Sequence, residues 1–329
     1  MKEIKAIDYS IWIGENSLSK LDISTYSKVA ILVDENTKRD CLYKLPKIEN
    51  PLIIEIKSGE EYKNISTCNF IWEQLTINNF DRNSLLINLG GGVIGDMGGF
   101  CAVTYKRGLE FIHIPTTLLA MVDASVGGKL GIDFKGFKNQ IGLFHNPKAV
   151  LISTEFLDTL DESELKSGFA EVIKHALILD NPLWIKLKNT TFTDLDWEDI
   201  INHSVQIKNK IILEDPFEKG ERKKLNFGHT FGHAIESYYL EKGTPISHGE
   251  AIFMGMILET GISDLSENEK NEIKDYIISN FALPYTPKKT YLHKFLINDK
   301  KNQDGKINFT LLSEIGNCSF DNLFSLDEL

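Results

Sequence analysis

The first half of the chain alternates short, β-rich apolar runs with helix-length segments, and this alternation constrains the fold more than any other feature. The runs cover residues 28–36, 51–59, 84–92 and 109–117, and each ends in turn or polar residues. Such runs are typical of buried parallel strands. Residues 65–80 lie between two of the runs and place apolar side chains three and four apart, as a helix does. The pattern predicts an α/β sheet with crossover helices.

From about residue 155 the β-rich runs stop, and four segments with helical periodicity follow, at residues 161–179, 197–215, 226–240 and 248–265. A chain of 329 residues suits two domains of about 100 to 200 residues each, with a cleft between two cores. We therefore predict an α/β N-terminal domain with a mainly parallel sheet, residues 1–160, and an all-α C-terminal domain, residues 161–329.

Charge and composition exclude several classes of partner. The formal net charge of −11 argues against nucleic acid and against an anionic membrane surface, since both demand a basic protein surface. The N-terminus lacks the apolar stretch of a secretory signal, and no run approaches the roughly 18 apolar residues that span a bilayer. Cys41, Cys68, Cys101 and Cys318 are widely spaced, which suits reduced, packed thiols. A cytoplasmic protein is expected.

A glycine-rich turn follows the third β-rich run. Gly90, Gly92 and Gly95 form G-x-G-x-x-G between a predicted strand and a predicted helix, where backbone N–H groups can approach a pyrophosphate. The alternative is a strand-to-helix turn without a ligand. Thr116 and Thr117 follow the next predicted strand, and ligands of open parallel sheets bind at the carboxyl ends of the strands. A nucleotide site at this edge is favoured.

Two histidines four residues apart, His229 and His233, begin a helical pattern. Side chains at this spacing share a helix face, so both, one or neither could bind a metal ion. Two further ligand types occur elsewhere. Glu171 lies among apolar residues, where a carboxylate is costly to bury unless it is paired, for example with Lys174, or bound to metal. His248 stands at a predicted helix start, where a capping or surface role is the alternative.

Taken together, these residues resemble the 3-dehydroquinate synthase family of sugar-phosphate cyclases. The matching segments occur in the family's order and cover most of the chain. They are residues 58–63, 90–96, 104–108, 115–133, 138–147, 170–175, 225–236, 248–251 and 298–301. The resemblance implies an NAD-binding α/β domain, a helical metal- and substrate-binding domain, and an active site in the cleft between them.

The resemblance also implies the site residues. Zn²⁺ or Co²⁺ would be bound by Glu171, His229 and His248, while His233 would handle protons in the substrate pocket. NAD would contact Asp34, Asn36, Glu60, Lys63, Gly91, Gly92, Val93, Ile94, Gly95, Asp96, Thr116, Thr117, Leu119, Asp123, Lys129, Lys138, Phe156, Thr159 and Leu160. The substrate would contact Arg107, Asp123, Lys129, Asn139, Lys174, Lys208, Arg222, Asn226, His233 and Lys300.

The implied reaction converts 3-deoxy-D-arabino-heptulosonate 7-phosphate to 3-dehydroquinate and phosphate. It is a lyase step of the shikimate pathway, toward chorismate and the aromatic amino acids. Transient oxidation by NAD, phosphate elimination, re-reduction, ring opening and an intramolecular aldol closure would leave NAD unchanged over a cycle. The expected partner is a small anionic sugar phosphate, and a homodimer is expected from the resemblance alone.

The chain departs from the family pattern at several positions, and two other activities compete. Leu130 follows the "GGK" motif, Lys138 rather than Lys135 is matched because it precedes Asn139, and Lys301 competes with Lys300. Pro216 and Phe217 stand where the family often has Glu-Arg. The alternatives are another sugar-phosphate cyclase, of the 2-deoxy-scyllo-inosose or aminodehydroquinate synthase type, and a metal-dependent polyol or glycerol dehydrogenase.

Overall fold

The chain forms two compact units. The structure, a computed structural model, describes residues 1–135, 137–298 and 301–329. The first unit comprises Met1–Leu165 and Trp197–Asn209, and the second comprises Lys166–Asp196 and Lys210–Leu329. The sequence predicts a division between residues 160 and 161, whereas Trp197–Asn209 belongs with the first unit.

A seven-stranded sheet forms the centre of the first unit. The strands of this unit are β1 (Lys2–Lys5), β2 (Ser10–Ile13), β3 (Val29–Asp34), β4 (Leu52–Ile56), β5 (Leu85–Gly90), β6 (Glu110–Pro115), β7 (Lys129–Phe134), β8 (Phe137–Phe144) and β9 (Ala149–Ile152). The order in the sheet is β1-β2-β9-β6-β5-β3-β4. All neighbours in the sheet are parallel except β1 and β2. The four predicted β-rich runs are β3 to β6, so the prediction of a mainly parallel sheet is confirmed.

Three helices accompany the sheet: α1 (Glu35–Asp40), α2 (Ile65–Ile77) and α3 (Gly92–Thr104). All six residues of β5 are buried, which explains its continuous apolar run. α2 and α3 pack on the sheet through a core cluster that includes Ile71, Leu75 and Met97. β7 and β8 form a separate antiparallel hairpin. Because β3, β5 and β6 are parallel, their carboxyl ends meet at one edge of the sheet, where α1 and α3 begin.

The second unit is mainly helical, as predicted. Helices α4 (Glu162–Leu179) and α6 (Trp197–Glu214) each span a boundary between the units. The other helices of the second unit are α5 (Asn181–Lys188), α7 (His229–Glu241), α8 (His248–Gly261), α9 (Glu267–Asn280) and α10 (Lys289–Leu296). The unit also contains an antiparallel hairpin of β10 (Ile307–Glu314) and β11 (Asn317–Phe324). The expectation of an all-α domain is thus wrong for this hairpin. Among the described residues, no helix is long and apolar enough to cross a membrane.

Glycines bring three helices of the second unit into close contact. A Cβ atom at Gly249 of α8 would lie 2.3 Å from Cα of Ser167 on α4, and one at Gly255 would lie 1.9 Å from the carbonyl oxygen of Gly228, just before α7. Real Cβ atoms do not approach other atoms this closely, so only glycine fits at either position. α8 is therefore held against both α4 and the start of α7.

Candidate functional site

Three predicted metal ligands converge in the second unit. Glu171 lies within α4, His229 is the first residue of α7, and His248 is the first residue of α8. Nε2 of His229 lies 3.5 Å from Oε1 of Glu171, and Nε2 of His248 lies 3.4 Å from the same oxygen. Ligands about 2.1 Å from a tetrahedral metal ion lie about 3.4 Å apart. The three donor atoms therefore fit a zinc-type site with an open fourth position.

The second carboxylate oxygen of Glu171 is held by Lys174, whose Nζ donates a hydrogen bond to Oε2. Both side chains are almost fully buried. Burial on its own would raise the pKa of Glu171, but the charge of Lys174 and the contacts with His229 and His248 keep that pKa well below its usual range. The ion pair considered as the alternative to metal binding is therefore present together with the ligand cluster, because each uses a different oxygen.

His229 is oriented by a backbone carbonyl two residues before it. Its Nδ1 lies 3.1 Å from the carbonyl oxygen of Phe227, and because a carbonyl can only accept, Nδ1 carries the proton and Nε2 presents a lone pair. A backbone acceptor of this kind commonly fixes the tautomer of a metal-binding histidine. Burial, aided by the charge of Lys174, lowers the pKa of His229 to about 3. The imidazole is thus neutral at physiological pH, as a metal ligand must be.

His248 and His233 occupy different positions around this cluster. Ser247 caps α8 through a capping box with Glu250, so the cap of this helix is serine and not His248. The ring of His233 lies 5.3 Å from that of His229 and 6.5 Å from that of His248, centre to centre. Among the described residues of this unit, Glu171 groups with His229 and His248, and a donor atom of His175 also lies within 4.8 Å of a carboxylate oxygen of Glu171, whereas His233 is not a member of these groups.

The predicted substrate residues Arg222 and Asn226 share the short helical segment Glu221–Asn226. Arg222 is buried and donates through Nη1 to the carbonyl oxygen of Pro216, at 2.6 Å. Pro216, where the chain departs from the family pattern, thus contributes a backbone acceptor. Asn226 donates through Nδ2 to Oε1 of Glu218, at 3.0 Å. Glu218 was missed in the sequence because a lone acidic residue in a polar loop carries no pattern.

A second buried carboxylate near the ligands was also missed. Glu259 on α8 is fully buried and accepts hydrogen bonds from the backbone N–H groups of Gly228 and Phe231. Burial raises the pKa of Glu259 to about 8, and these N–H groups act in the opposite direction. Its signal in the sequence is the one that drew attention to Glu171, namely a carboxylate within an apolar helical run.

Lys301 is the described member of the pair of lysines matched to the family pattern. Its charge is among the causes that lower the pKa of His229, so it lies in the neighbourhood of the ligand cluster. Lys300 lies outside the described residues.

In the first unit, the glycine-rich turn lies where the sequence predicts it. β5 ends at Gly90 and α3 begins at Gly92. The N–H of Thr116 donates to the carbonyl oxygen of Gly90, at 3.1 Å, and a Cβ atom at Gly91 would lie 3.1 Å from Thr117. No side chain of the described residues caps α3 at its N-cap Gly91. The first turn of α3, at Gly92, Val93 and Ile94, therefore offers backbone N–H groups of the kind that bind a pyrophosphate, while the N–H of Gly95 donates to the carbonyl oxygen of Gly91, at 3.0 Å.

Four predicted residues and the neighbouring Asp133 form a polar cluster close to this turn. Nζ of Lys63 lies 2.7 Å from Oδ2 of Asp96 and 2.7 Å from Oδ1 of Asn139. The N–H of Asn139 in turn donates to Oδ1 of Asp133, at 2.8 Å. Glu60 lies 3.9 Å from the same lysine. The structure thus brings together three predicted cofactor residues and one predicted substrate residue.

Lys208 and Asp123 form another predicted pair. Asp123 belongs to a single π-helical turn, Ala120–Ala124, and Oδ1 of its carboxylate lies 2.7 Å from Nζ of Lys208 on α6. Lys208 also donates to the backbone carbonyl of Asp123 and is buried. Both residues belong to the first unit.

The remaining predicted residues of the first unit are more dispersed. Asp34 caps α1 by accepting from the N–H of Thr37, at 2.7 Å, and Asn36 follows it in α1. Lys129 and Lys138 are exposed on β7 and β8, Leu119 precedes the π-helical turn, and Phe156, Thr159 and Leu160 lie in or just after the segment Thr154–Thr159.

Arg107 is separated from the glycine-rich turn. It is exposed, and it lies between the end of α3 and the start of β6. That position is at the amino-terminal edge of the parallel strands, opposite the edge that carries Gly92 and Thr116. Within the first unit, the structure does not bring Arg107 to the other predicted residues.

Comparisons with known proteins indicate the same family along most of the chain. Two family models, described as 3-dehydroquinate synthase N-terminal and C-terminal, match residues 53–167 and 168–302. A 3-dehydroquinate synthase of Parabacteroides distasonis is 41% identical over 88% of this chain and 86% of its own length. One of Campylobacter concisus is 41% identical over 97% of this chain and 93% of its own length.

A solved structure resembles the whole fold. It is a 2-deoxy-scyllo-inosose synthase complexed with carbaglucose-6-phosphate, NAD⁺ and Co²⁺, and it is 27% identical with a TM-score of 0.84. The match covers 98% of this chain and 95% of that one.

Proposed function

The chain belongs to the 3-dehydroquinate synthase family, and from that premise we propose that it converts 3-deoxy-D-arabino-heptulosonate 7-phosphate to 3-dehydroquinate and phosphate. As a lyase of the shikimate pathway, it would serve chorismate and aromatic amino acid biosynthesis. The observation that carries the proposal is the convergence of Nε2 of His229 and Nε2 of His248 on one oxygen of Glu171, at 3.5 and 3.4 Å.

When bound, NAD would supply a transient hydride acceptor, and Zn²⁺ or Co²⁺ would polarise the substrate hydroxyl groups. Glu171, His229 and His248 would hold the metal ion. Lys174 holds Oε2 of Glu171, so that Oε1, the oxygen near both histidines, would be presented to the metal.

The first unit would bind NAD. The uncapped N–H groups at the start of α3 would bind the pyrophosphate, and glycine at positions 91 and 92 allows the close approach this requires. Asp34 ends β3 at the same edge of the sheet and Asn36 lies just beyond it, within reach of an extended dinucleotide. Lys63 and Asp96, already paired with each other, would complete the polar lining.

Substrate binding would depend on cations that this acidic chain gathers locally. In the second unit, Arg222, Lys174 and Asn226 would bind the carboxylate and hydroxyl groups, and a ring nitrogen of His233 would accept or return a proton. In the first unit we propose the same class of contact for Lys129, Asn139 and Lys208. Arg107 lies at the opposite edge of the sheet, and its contact with the substrate stays a prediction. A cytoplasmic location and a homodimeric assembly stay predictions.

The test is a choice between two sugar phosphates. Purified protein, NAD and Zn²⁺ or Co²⁺ are incubated with the heptulosonate 7-phosphate or with glucose 6-phosphate, and released phosphate is measured. We expect release from the heptulosonate phosphate alone, its loss with a chelator, and its return when metal is restored. Release from glucose 6-phosphate alone would contradict the proposal and indicate a cyclase of the 2-deoxy-scyllo-inosose synthase type.

A further inference from the structure

Helix α7, which begins with the candidate ligand His229, has no N-cap side chain of its own. Its N-cap residue is Gly228, with φ of +80°. A Cβ atom there would lie 2.6 Å from Cγ of Met256, so both the backbone conformation and the packing require glycine. A glycine has no side chain that can accept hydrogen bonds from the first N–H groups of its helix. Those groups need an acceptor from elsewhere.

Glu259 provides that acceptor from a different helix. Its Oε2 accepts from the N–H of Gly228, at 2.6 Å, and its Oε1 accepts from the N–H of Phe231, at 3.0 Å. Phe231 is the third residue of α7, the position that an N-cap side chain normally bonds. The partial positive charge at a helix N-terminus also favours a carboxylate there. Glu259 therefore acts as the missing N-cap of α7.

Glu259 can reach α7 because of the glycine one turn before it. Gly255 and Glu259 are four residues apart and share a face of α8. The missing side chain at Gly255 lets the carbonyl oxygen of Gly228 approach the α8 backbone, since a Cβ atom would lie 1.9 Å away. The same face of α8 thus contacts both polar groups of the Gly228 backbone, while His248 begins α8 itself.

We propose that Glu259 is a positioning residue of the metal site, which fixes the first turn of α7 so that His229 directs Nε2 toward Glu171. The inference rests on the proposed function in that the site holds a metal ion. Helix α8 would then position both histidines, because it carries His248 and its Glu259 binds the turn that carries His229. Residues that orient ligands typically change metal affinity about 10- to 100-fold when they are removed.

The experiment titrates Co²⁺ into metal-free protein and records the visible spectrum, which reports coordination geometry independently of turnover. We expect Glu259→Ala to weaken Co²⁺ binding about 10- to 100-fold and to alter the spectrum. Glu259→Gln should fall between the alanine variant and the original protein, since its one carbonyl oxygen can serve only one of the two N–H groups. The glutamine variant has nearly the same volume and keeps the test available if Glu259→Ala does not fold.

Glu272 provides a matched control in the same unit. This carboxylate on α9 also accepts from two nitrogen donors, Nε1 of Trp184 at 2.8 Å and Nζ of Lys188 at 2.6 Å. Glu272→Ala should lower the denaturation midpoint and leave Co²⁺ affinity and the spectrum unchanged.

Three results would overturn the inference. One is a folded Glu259→Ala or Glu259→Gln variant whose Co²⁺ affinity and spectrum match those of the original protein. Another is an equal loss of affinity in Glu272→Ala, which would assign the effect to general destabilisation. Either would leave the proposed function standing. Failure of the original protein to bind Co²⁺ or Zn²⁺ would remove the proposed metal site and the inference with it.

Discussion

His229 and His233 have the same residue type and share a helix face, yet their surroundings differ. Nδ1 of His229 donates a hydrogen bond to a backbone carbonyl, and Nε2 of the same ring is directed toward Glu171. His233 lies one turn further along α7, with its ring perpendicular to that of His229. Spacing alone left both, one or neither as ligands, and the geometry favours His229 as the ligand.

The two histidines should respond differently to replacement by alanine. His229→Ala removes a metal ligand, so bound zinc and turnover should fall together, the zinc affinity by about tenfold or more. His233→Ala should keep full zinc occupancy and lose most turnover, because a proton-transfer group is removed and the ligands stay. Metal analysis of both purified variants decides the matter. Zinc loss in His233→Ala would restore the interpretation that both histidines bind metal.

A third histidine, His113, couples stability to pH in the first unit. It is buried on β6, where its Nδ1 lies 3.3 Å from Nδ2 of Asn88. Burial lowers the pKa of His113 from 6.5 to about 4. The unfolded chain therefore binds a proton more readily than the folded chain below about pH 6.5, so the folded state should lose stability as the pH falls toward 4.

His113→Gln should remove this dependence. Between about pH 7 and about pH 5 the original protein should lose about 2 kcal/mol more of its free energy of unfolding than the variant does. Urea denaturation midpoints at the two pH values, followed by a probe in the first unit, measure the difference. Equal losses in the two proteins would show that His113 does not titrate as its burial requires.

At the scale of elements, the ligand cluster depends on how closely α8 packs against α4. The N–H of Gly249 donates to Oγ of Ser167, at 3.0 Å, and the two backbones leave no room for a Cβ atom. Glu171 lies one turn after Ser167 on α4, and His248 directly precedes Gly249. A small separation of these helices would therefore move the Glu171 and His248 ligands away from each other.

Gly249→Ala tests this contact, with Gly261→Ala as the control on the same helix. The first should destabilise the protein by about 1–3 kcal/mol and reduce zinc retention during dialysis against a chelator. Gly261 ends α8, and an added Cβ atom would meet nothing within 4 Å. Its alanine variant should therefore stay within about 0.5 kcal/mol of the original. Full zinc retention by Gly249→Ala would contradict the prediction, because it would show that the ligand geometry does not depend on the spacing of the two helices.

Elements were predictable from the sequence where one local pattern determines them. The runs that became β3 to β6 are short, apolar and bounded by turns, so burial on both faces can be inferred from them. The first six residues of β10, Ile307–Leu312, are also all buried. This segment alternates apolar residues with Asn308 and Thr310, so it lacks the continuous apolar run that marks β3 to β6, and the hairpin with β11 was therefore overlooked. The assignment of Trp197–Asn209 to the first unit depends on tertiary packing, which periodicity does not report.

Site residues were likewise predictable where a local pattern marks them, and not where their function depends on tertiary contacts. Glu171 could be found because a carboxylate in an apolar helix demands a partner. Glu259 carries the same signal, but its function depends on contact with Gly228, which is remote in sequence. Arg107 matched a family motif, and its place at the amino-terminal edge of the sheet follows from the path of α3, which the motif does not contain.

At the scale of the whole molecule, a chain with a net charge of −11 is proposed to bind a substrate with both a carboxylate and a phosphate. Its proposed cations Lys174, Lys208 and Arg222 are buried and have acceptors within their own units. Burying a cation is costly unless it is paired. These pairings keep each cation fixed, so donors for an anionic substrate can be presented without a basic surface.

We propose that the chain catalyses a cyclisation in which NAD is regenerated, and not a net oxidation. The most direct test follows phosphate release and NADH absorbance in one reaction, with much less NAD than heptulosonate phosphate. We predict that the phosphate released will exceed the NAD present many times over, without net growth of NADH. Accumulation of NADH without phosphate release would contradict the account and indicate a polyol or glycerol dehydrogenase.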